Sequence, residues 1–193
     1  MNLRSVLFSI AIAGALPGCT SVSPPAAPGG TAFSLWSPHF ADGSTLTPQH
    51  AGKMSTNPNC TGDNLAPALA WKNVPPGTRS LAMLVHDQEG RSGLGVVHWV
   101  AYGIDPAASG FAANEISQAS PQYIGGKSTL GLPSYMGPCP PANSGQHHYV
   151  YTLIATDLDR GALRPGLTMQ ELLLQLEGHA KAASSIVLRY GRL

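Results

Sequence analysis

The chain has 193 residues, of which only 11% are charged, with 11 Lys+Arg against 10 Asp+Glu. That length fits one domain with tails, and a net charge of +1 gives no bulk attraction to nucleic acid or to an acidic membrane surface. With 22 glycines, 17 prolines and little helical periodicity, the composition points to a loop-rich, mainly β domain.

Arg4 and the apolar stretch from Val6 to Leu16 open the chain; that stretch is too short to span a bilayer as a mature helix. Leu16-Pro17-Gly18-Cys19 follows and resembles the bacterial lipobox, whose cysteine is lipidated and becomes the mature N-terminus. Residues 1–18 are therefore expected to be a signal peptide, with an ordinary secretory signal as the alternative. Residues 19–31 are expected to be the lipidated Cys19 and a Pro/Gly tether, and residues 32–193 the folded domain. The expected location is outside the cytoplasm, lipid-anchored at the bacterial envelope. Thr20 after the cysteine, where an Asp would be the retention signal, suggests the outer membrane; a periplasmic or secreted protein is the alternative. In such an oxidising compartment Cys60 and Cys139 are expected to pair.

Phe33 to Phe40 alternates and precedes Asp42-Gly43, which reads as a first strand and a turn. Thr47 to Thr61 reads as loop, Asn64 to Trp71 as a short extended segment, and Pro75-Pro76-Gly77 as a tight turn. Ser80 to Val85 is a core strand ending at His86-Asp87, and Val96 to Ile104 is a second one carrying His98. Asp105 to Leu132 has no strong period and reads as a surface excursion. Gly137 to Pro141 has too few donors for a helix or a central strand and reads as a stiff loop. It leads to His147 and a third core strand, His148 to Thr156. Thr168 and Glu171 write a capping box for a helix whose apolar face runs through Leu172, Leu173, Leu176 and Ala180 to about Ala183. Ile186 to Tyr190 closes the chain as a strand.

If the three core strands are neighbours, Asp87, His98, His147 and Tyr149 converge on one pocket. Imidazoles and a phenol beside a carboxylate suit a small anion such as phosphate. A neighbouring carboxylate is expected to raise the imidazole pKa values. Taken alone, His98 reads better as a hydrogen-bonded core histidine. No zincin, Cys-x-x-Cys, Gly-x-Ser-x-Gly or phosphate-loop motif occurs, no short ligand spacing supports a metal, and nothing points to a cofactor.

Asn64 to Trp71, Val85 to Asp87, His98-Trp99-Val100, Gly137-Pro138-Cys139-Pro140-Pro141 with Gly145 to Tyr149, and Glu177-Gly178-His179 carry a resemblance. In order and spacing, the region from Phe33 to Arg192 resembles the phosphatidylethanolamine-binding protein family, in its bacterial Raf-kinase-inhibitor-like branch. The resemblance implies a β-sandwich around a central antiparallel sheet with one or two C-terminal helices. It also implies a pocket for phosphate or a phospholipid head group. Asp87, His98, His147 and Tyr149 match the family's pocket positions, and Pro141 its mouth. The acidic element departs from the family pattern: Asp87-Gln88-Glu89-Gly90-Arg91 lacks both prolines, and His148 stands where the family usually has arginine. The expected function is a ligand-binding or protein-modulating module with no catalytic residues. Two alternatives stay open, a small-molecule enzyme using an Asp/His acid–base pair, and an inhibitor of an envelope hydrolase acting on a protein partner.

Overall fold

The computed structural model describes residue 25 and residues 29–192. The expected signal peptide, Cys19 and most of the tether lie outside the described residues. Five antiparallel strands form the larger sheet, in the order β6 (Ile124–Gly125), β4 (Val96–Ile104), β3 (Ser80–Asp87), β7 (His147–Thr156), β8 (Ala180–Tyr190). A three-stranded antiparallel sheet, β1 (Ser34–Trp36), β2 (Leu69–Lys72) and β5 (Gly110–Phe111), packs on one of its faces.

Strand alternation builds two cores from one sheet. Leu81, Met83 and Val85 of β3, with Tyr149, Tyr151 and Leu153 of β7, meet Leu35, Leu69, Trp71 and Phe111 of the smaller sheet. Ala82, Leu84, Val100 and Tyr102 face the other way, onto Leu167, Leu172 and Leu176. Those leucines belong to helix α1 (Met169–Leu176) and the residues leading into it. Its capping box is present: the Thr168 hydroxyl accepts from the Glu171 amide at 3.2 Å, and Glu171 Oε2 accepts from the Thr168 amide at 2.8 Å. The fold is thus the mainly β sandwich expected, with a helix covering its second face.

Three boundaries differ from the expectation. The first strand is shorter, Ser34–Trp36. The excursion after Asp105 contains β5 and β6, two-residue strands too short to leave a period. The helix stops at Leu176, and β8 begins at Ala180, inside the stretch expected to be helical. Glu177 already has an extended ψ of 125°, and Gly178 has φ +78°. The alanines that follow favour helix in isolation, but β8 pairs along the whole of β7, from His147↔Tyr190 to Thr156↔Ala180, and that ladder overrides propensity. Leu173, expected on the buried face, is 41% exposed.

Candidate functional site

Strand β3 is central, with β4 on one side and β7 on the other, so the three strands carrying the candidate residues are neighbours. Asp87 closes β3 and lies opposite Tyr149 of β7 and Val96 of β4. The carboxylate is 3% exposed and fully engaged. Oδ2 lies 2.8 Å from His147 Nδ1, while Oδ1 accepts from the amides of Glu89 at 3.0 Å and Gly90 at 3.1 Å. A carboxylate of this kind can only accept, so Nδ1 of His147 carries the hydrogen.

His98 reaches the same place by a β-bulge. The register runs Val85↔Trp99 and then His86↔Val97, so His98 is an extra residue without a cross-strand partner. Strict alternation would send it to the face opposite Trp99. The bulge instead re-aims it toward Asp87 and Tyr149. Its Nδ1 lies 2.7 Å from the Met136 carbonyl and must donate to it, leaving Nε2 as the acceptor of the neutral ring. Its ring meets Tyr149 edge-on, with centroids 5.1 Å apart. Burial holds the His98 pKa below the usual histidine range; the Met136 carbonyl and the Asp87 carboxylate both pull upward but are outweighed. For His98 the expected rise is therefore corrected: desolvation beats the neighbouring charge.

Asp87, His98, Pro141 and His147 line one cavity of about 320 Å³, at the small end of ligand sites. Val96, Leu130, Met136 and Pro140 give the remaining walls a largely apolar character. Tyr149 does not line it. Two residues along β7 from His147, it sits behind His98 in the sandwich core, 1% exposed. Its hydroxyl is buried without a hydrogen-bond partner among the described residues, and burial, followed by the nearby Asp87 charge, raises its pKa so that it stays protonated.

The proline loop is held as a rigid wall. Cys60 and Cys139 are joined by a disulfide, with Cα atoms 4.6 Å apart. Asn64 Oδ1 accepts the Gly137 amide at 2.7 Å, and the Gly52 amide donates to the Pro138 carbonyl at 2.8 Å. Glycine is required at both contact points: a Cβ on Gly137 would lie 2.2 Å from the His50 carbonyl oxygen, and one on Gly52 would lie 2.5 Å from Cys139 Sγ.

At the exposed rim, His148 Nδ1 lies 2.8 Å from Glu89 Oε1. Partial burial pushes the Glu89 carboxyl up, but the His148 ring and the amides of Glu89 and His148 outweigh it and push it down to about 2. The two departures from the family pattern at Glu89 and His148 thus face each other. Arg91, with left-handed backbone at φ +53°, also borders the cavity. Sequence reasoning missed Asn64, Met136 and Arg91 as site residues; Asn64 carried a signal, since it opens a stretch matching the family, and so did Arg91, which ends the altered acidic element. Among the described residues no group of three or more His, Cys, Asp or Glu side chains is placed to hold a metal.

The family model described as phosphatidylethanolamine-binding protein matches residues 36–191. The chain is 34% identical over 148 residues to a UPF0098 protein of Methanothermobacter thermautotrophicus, a match covering 73% of this chain and 92% of that one. It is 37% identical over 140 residues to LppC of Mycobacterium tuberculosis, named as a candidate lipoprotein; that match covers 70% of this chain and 63% of LppC. Among solved structures, CT736 of Chlamydia trachomatis, described as a candidate homologue of the same family, superposes with a TM-score of 0.72 at 26% identity, covering 85% of this chain and all of that one (100%). E. coli YbcL, described as a member of that family, superposes with a TM-score of 0.74 at 24% identity over 83% of this chain and 99% of its own, which is a likeness of fold.

Proposed function

The chain belongs to the phosphatidylethanolamine-binding protein family, and from that footing we propose that it is an exported binding module whose cavity takes a small anion, either phosphate or a phospholipid head group. The observation that carries this reading is the convergence of Asp87, His98 and His147 on one cavity walled by the disulfide-tied proline loop. The Asp87 carboxylate does not oppose an anion there as a free charge would, because both of its oxygens are occupied by protein donors. His98 supplies the switchable group. Neutral, its Nε2 accepts and can hold only a ligand O–H. Protonated, it donates and attracts an anion. Pro141 shapes the mouth, and Tyr149 acts through the His98 ring.

Binding should therefore take up a proton. Burial depresses the free-state pKa of His98, so an anion that needs the imidazolium must raise it again on binding. Affinity should be higher at acid pH and fall as pH rises through the window between the free and bound values. A phosphate monoester can bring the proton itself, on its own oxygen; a phosphodiester cannot. Glycerophosphoethanolamine should accordingly lose affinity more steeply than inorganic phosphate between about pH 5 and about pH 8. Calorimetry in two buffers of different ionisation enthalpy reads the proton uptake directly. Affinity that is flat with pH, or that rises with it, would sink this reading of His98.

The LppC relative's name and the Leu16–Cys19 stretch support lipid anchoring at the envelope. Among the described residues no helix is long and apolar enough to cross a membrane. Cys19→Ser should move the protein from the membrane fraction to the soluble one, and labelled fatty acid should enter only the wild-type chain. Equal fractionation of both chains would leave a plain secretory signal.

A further inference from the structure

We propose that Ser144, His147 and Asp87 form an acyl-transfer site at the rim of the cavity, with Ser144 as the nucleophile toward esters of small carboxylic acids. His147 bridges the other two: its Nδ1 lies 2.8 Å from Asp87 Oδ2, and its Nε2 lies 3.2 Å from Ser144 Oγ. Asp87 fixes the proton on Nδ1, so the neutral ring turns its lone pair toward the serine. That is the tautomer a general base requires. The side chains of Asp87 and His147 are 4% and 7% exposed, while Ser144 is exposed. A buried, oriented base therefore ends at a nucleophile that a substrate can reach.

The backbone presents the serine in a way no sequence motif announced. Asn143 and Gly145, on either side of it, both have left-handed backbone, at φ +61° and +87°. Ser144 thus sits on a sharp turn between two left-handed positions, the second a glycine that adopts this backbone without strain, and nucleophilic serines in unrelated hydrolases also sit on sharp turns. No atom lies within 4 Å of where a Cβ on Gly145 would stand, so the space beside the serine is open. The hydroxyl also lies 2.8 Å from the Pro141 carbonyl. Its single proton can turn from that carbonyl to His147 Nε2 by rotation about the C–O bond, with no heavy atom moving. The cavity that His147 lines offers Val96, Met136 and Pro140 to a short acyl group.

Chemically, Ser144 Oγ bonds to the ester carbonyl carbon as its proton passes to His147 Nε2, and the carbonyl electron pair moves onto oxygen. Collapse of that intermediate breaks the bond to the alkoxy group, which leaves as the alcohol with the proton from Nε2. Water then attacks the acyl-serine by the same route, releasing the carboxylic acid and restoring the hydroxyl. Ser144 and His147 are the catalytic residues, and Asp87 is a positioning residue. This activity does not rest on the phosphate reading: phosphate binding, present or absent, bears on that reading alone.

The test is covalent labelling of the purified protein with a fluorophosphonate probe, followed by mapping of the modified residue and by p-nitrophenyl acetate hydrolysis. One label on Ser144 is expected, with labelling and hydrolysis lost in Ser144→Ala and in His147→Gln. Asp87→Asn should slow labelling at least tenfold without moving it to another residue. Because Ser144 is exposed, Ser144→Ala should unfold at the wild-type midpoint, which keeps the comparison interpretable if His147→Gln folds poorly. No label on Ser144, or a labelling rate indifferent to His147→Gln in a folded variant, overturns the proposal.

Discussion

Asp87→Ala should be the most damaging single substitution in the site, removing about 3–5 kcal/mol of folding stability, since it takes a buried acceptor from three donors at about 1–3 kcal/mol for each one orphaned. Asp87 receives three hydrogen bonds, from His147 Nδ1 at 2.8 Å, the Glu89 amide at 3.0 Å and the Gly90 amide at 3.1 Å. All three donors lose their acceptor at once. Asp87→Asn keeps the shape and one acceptor oxygen, so it should cost less than the alanine. It should still disturb His147, because its amide NH₂ cannot accept from Nδ1. Urea unfolding reads both variants. A loss for Asp87→Ala below about 1 kcal/mol, the net worth of one ordinary hydrogen bond, would show that this carboxylate is not the anchor described.

The second large effect belongs to the Cys60–Cys139 bridge. The cysteines are 79 residues apart, and closing so long a loop in the unfolded chain places the expected loss in the upper part of the ~2–5 kcal/mol range when both become alanine. The consequence should not be confined to stability. The bridge ties the segment before Asn64 to the loop carrying Pro140 and Pro141, and both cysteines line the cavity. The double variant should therefore lose anion affinity as well as its unfolding midpoint, and reduction of the wild type should reproduce both. Two free thiols in the unreduced, denatured wild type would refute the bridge itself.

The parts legible in the sequence were those encoded locally. The capping box at Thr168 and Glu171, the run from Ser80 to Asp87 and the strand from Val96 to Ile104 each announce themselves within a few residues. The parts that were not legible depend on partners distant in sequence. Ala180 to Ala183 carry helix propensity and are strand because β7 lies alongside. His98 faces the site because β4 holds one residue more than β3 at that point, a mismatch that neither strand shows alone. Its depressed pKa follows from the same cause: the bulge buries it, and burial outweighs the carboxylate that sequence reasoning took as decisive. No local pattern marks Ser144, because its relation to Asp87 is made by folding across more than fifty residues, through His147.

The central claim is that His98 and His147 form one anion site with Asp87. Imidazole nitrogen NMR of the wild-type protein, titrated with inorganic phosphate at mildly acid pH, tests it most directly. The ring nitrogens of His98 and His147 should shift together and saturate with a single Kd, His98 moving toward its imidazolium position, while the exposed His179 stays still. Phosphate that leaves both rings unmoved, or that shifts only His86, which lines a neighbouring pocket with Lys127 and Thr168, would contradict the account.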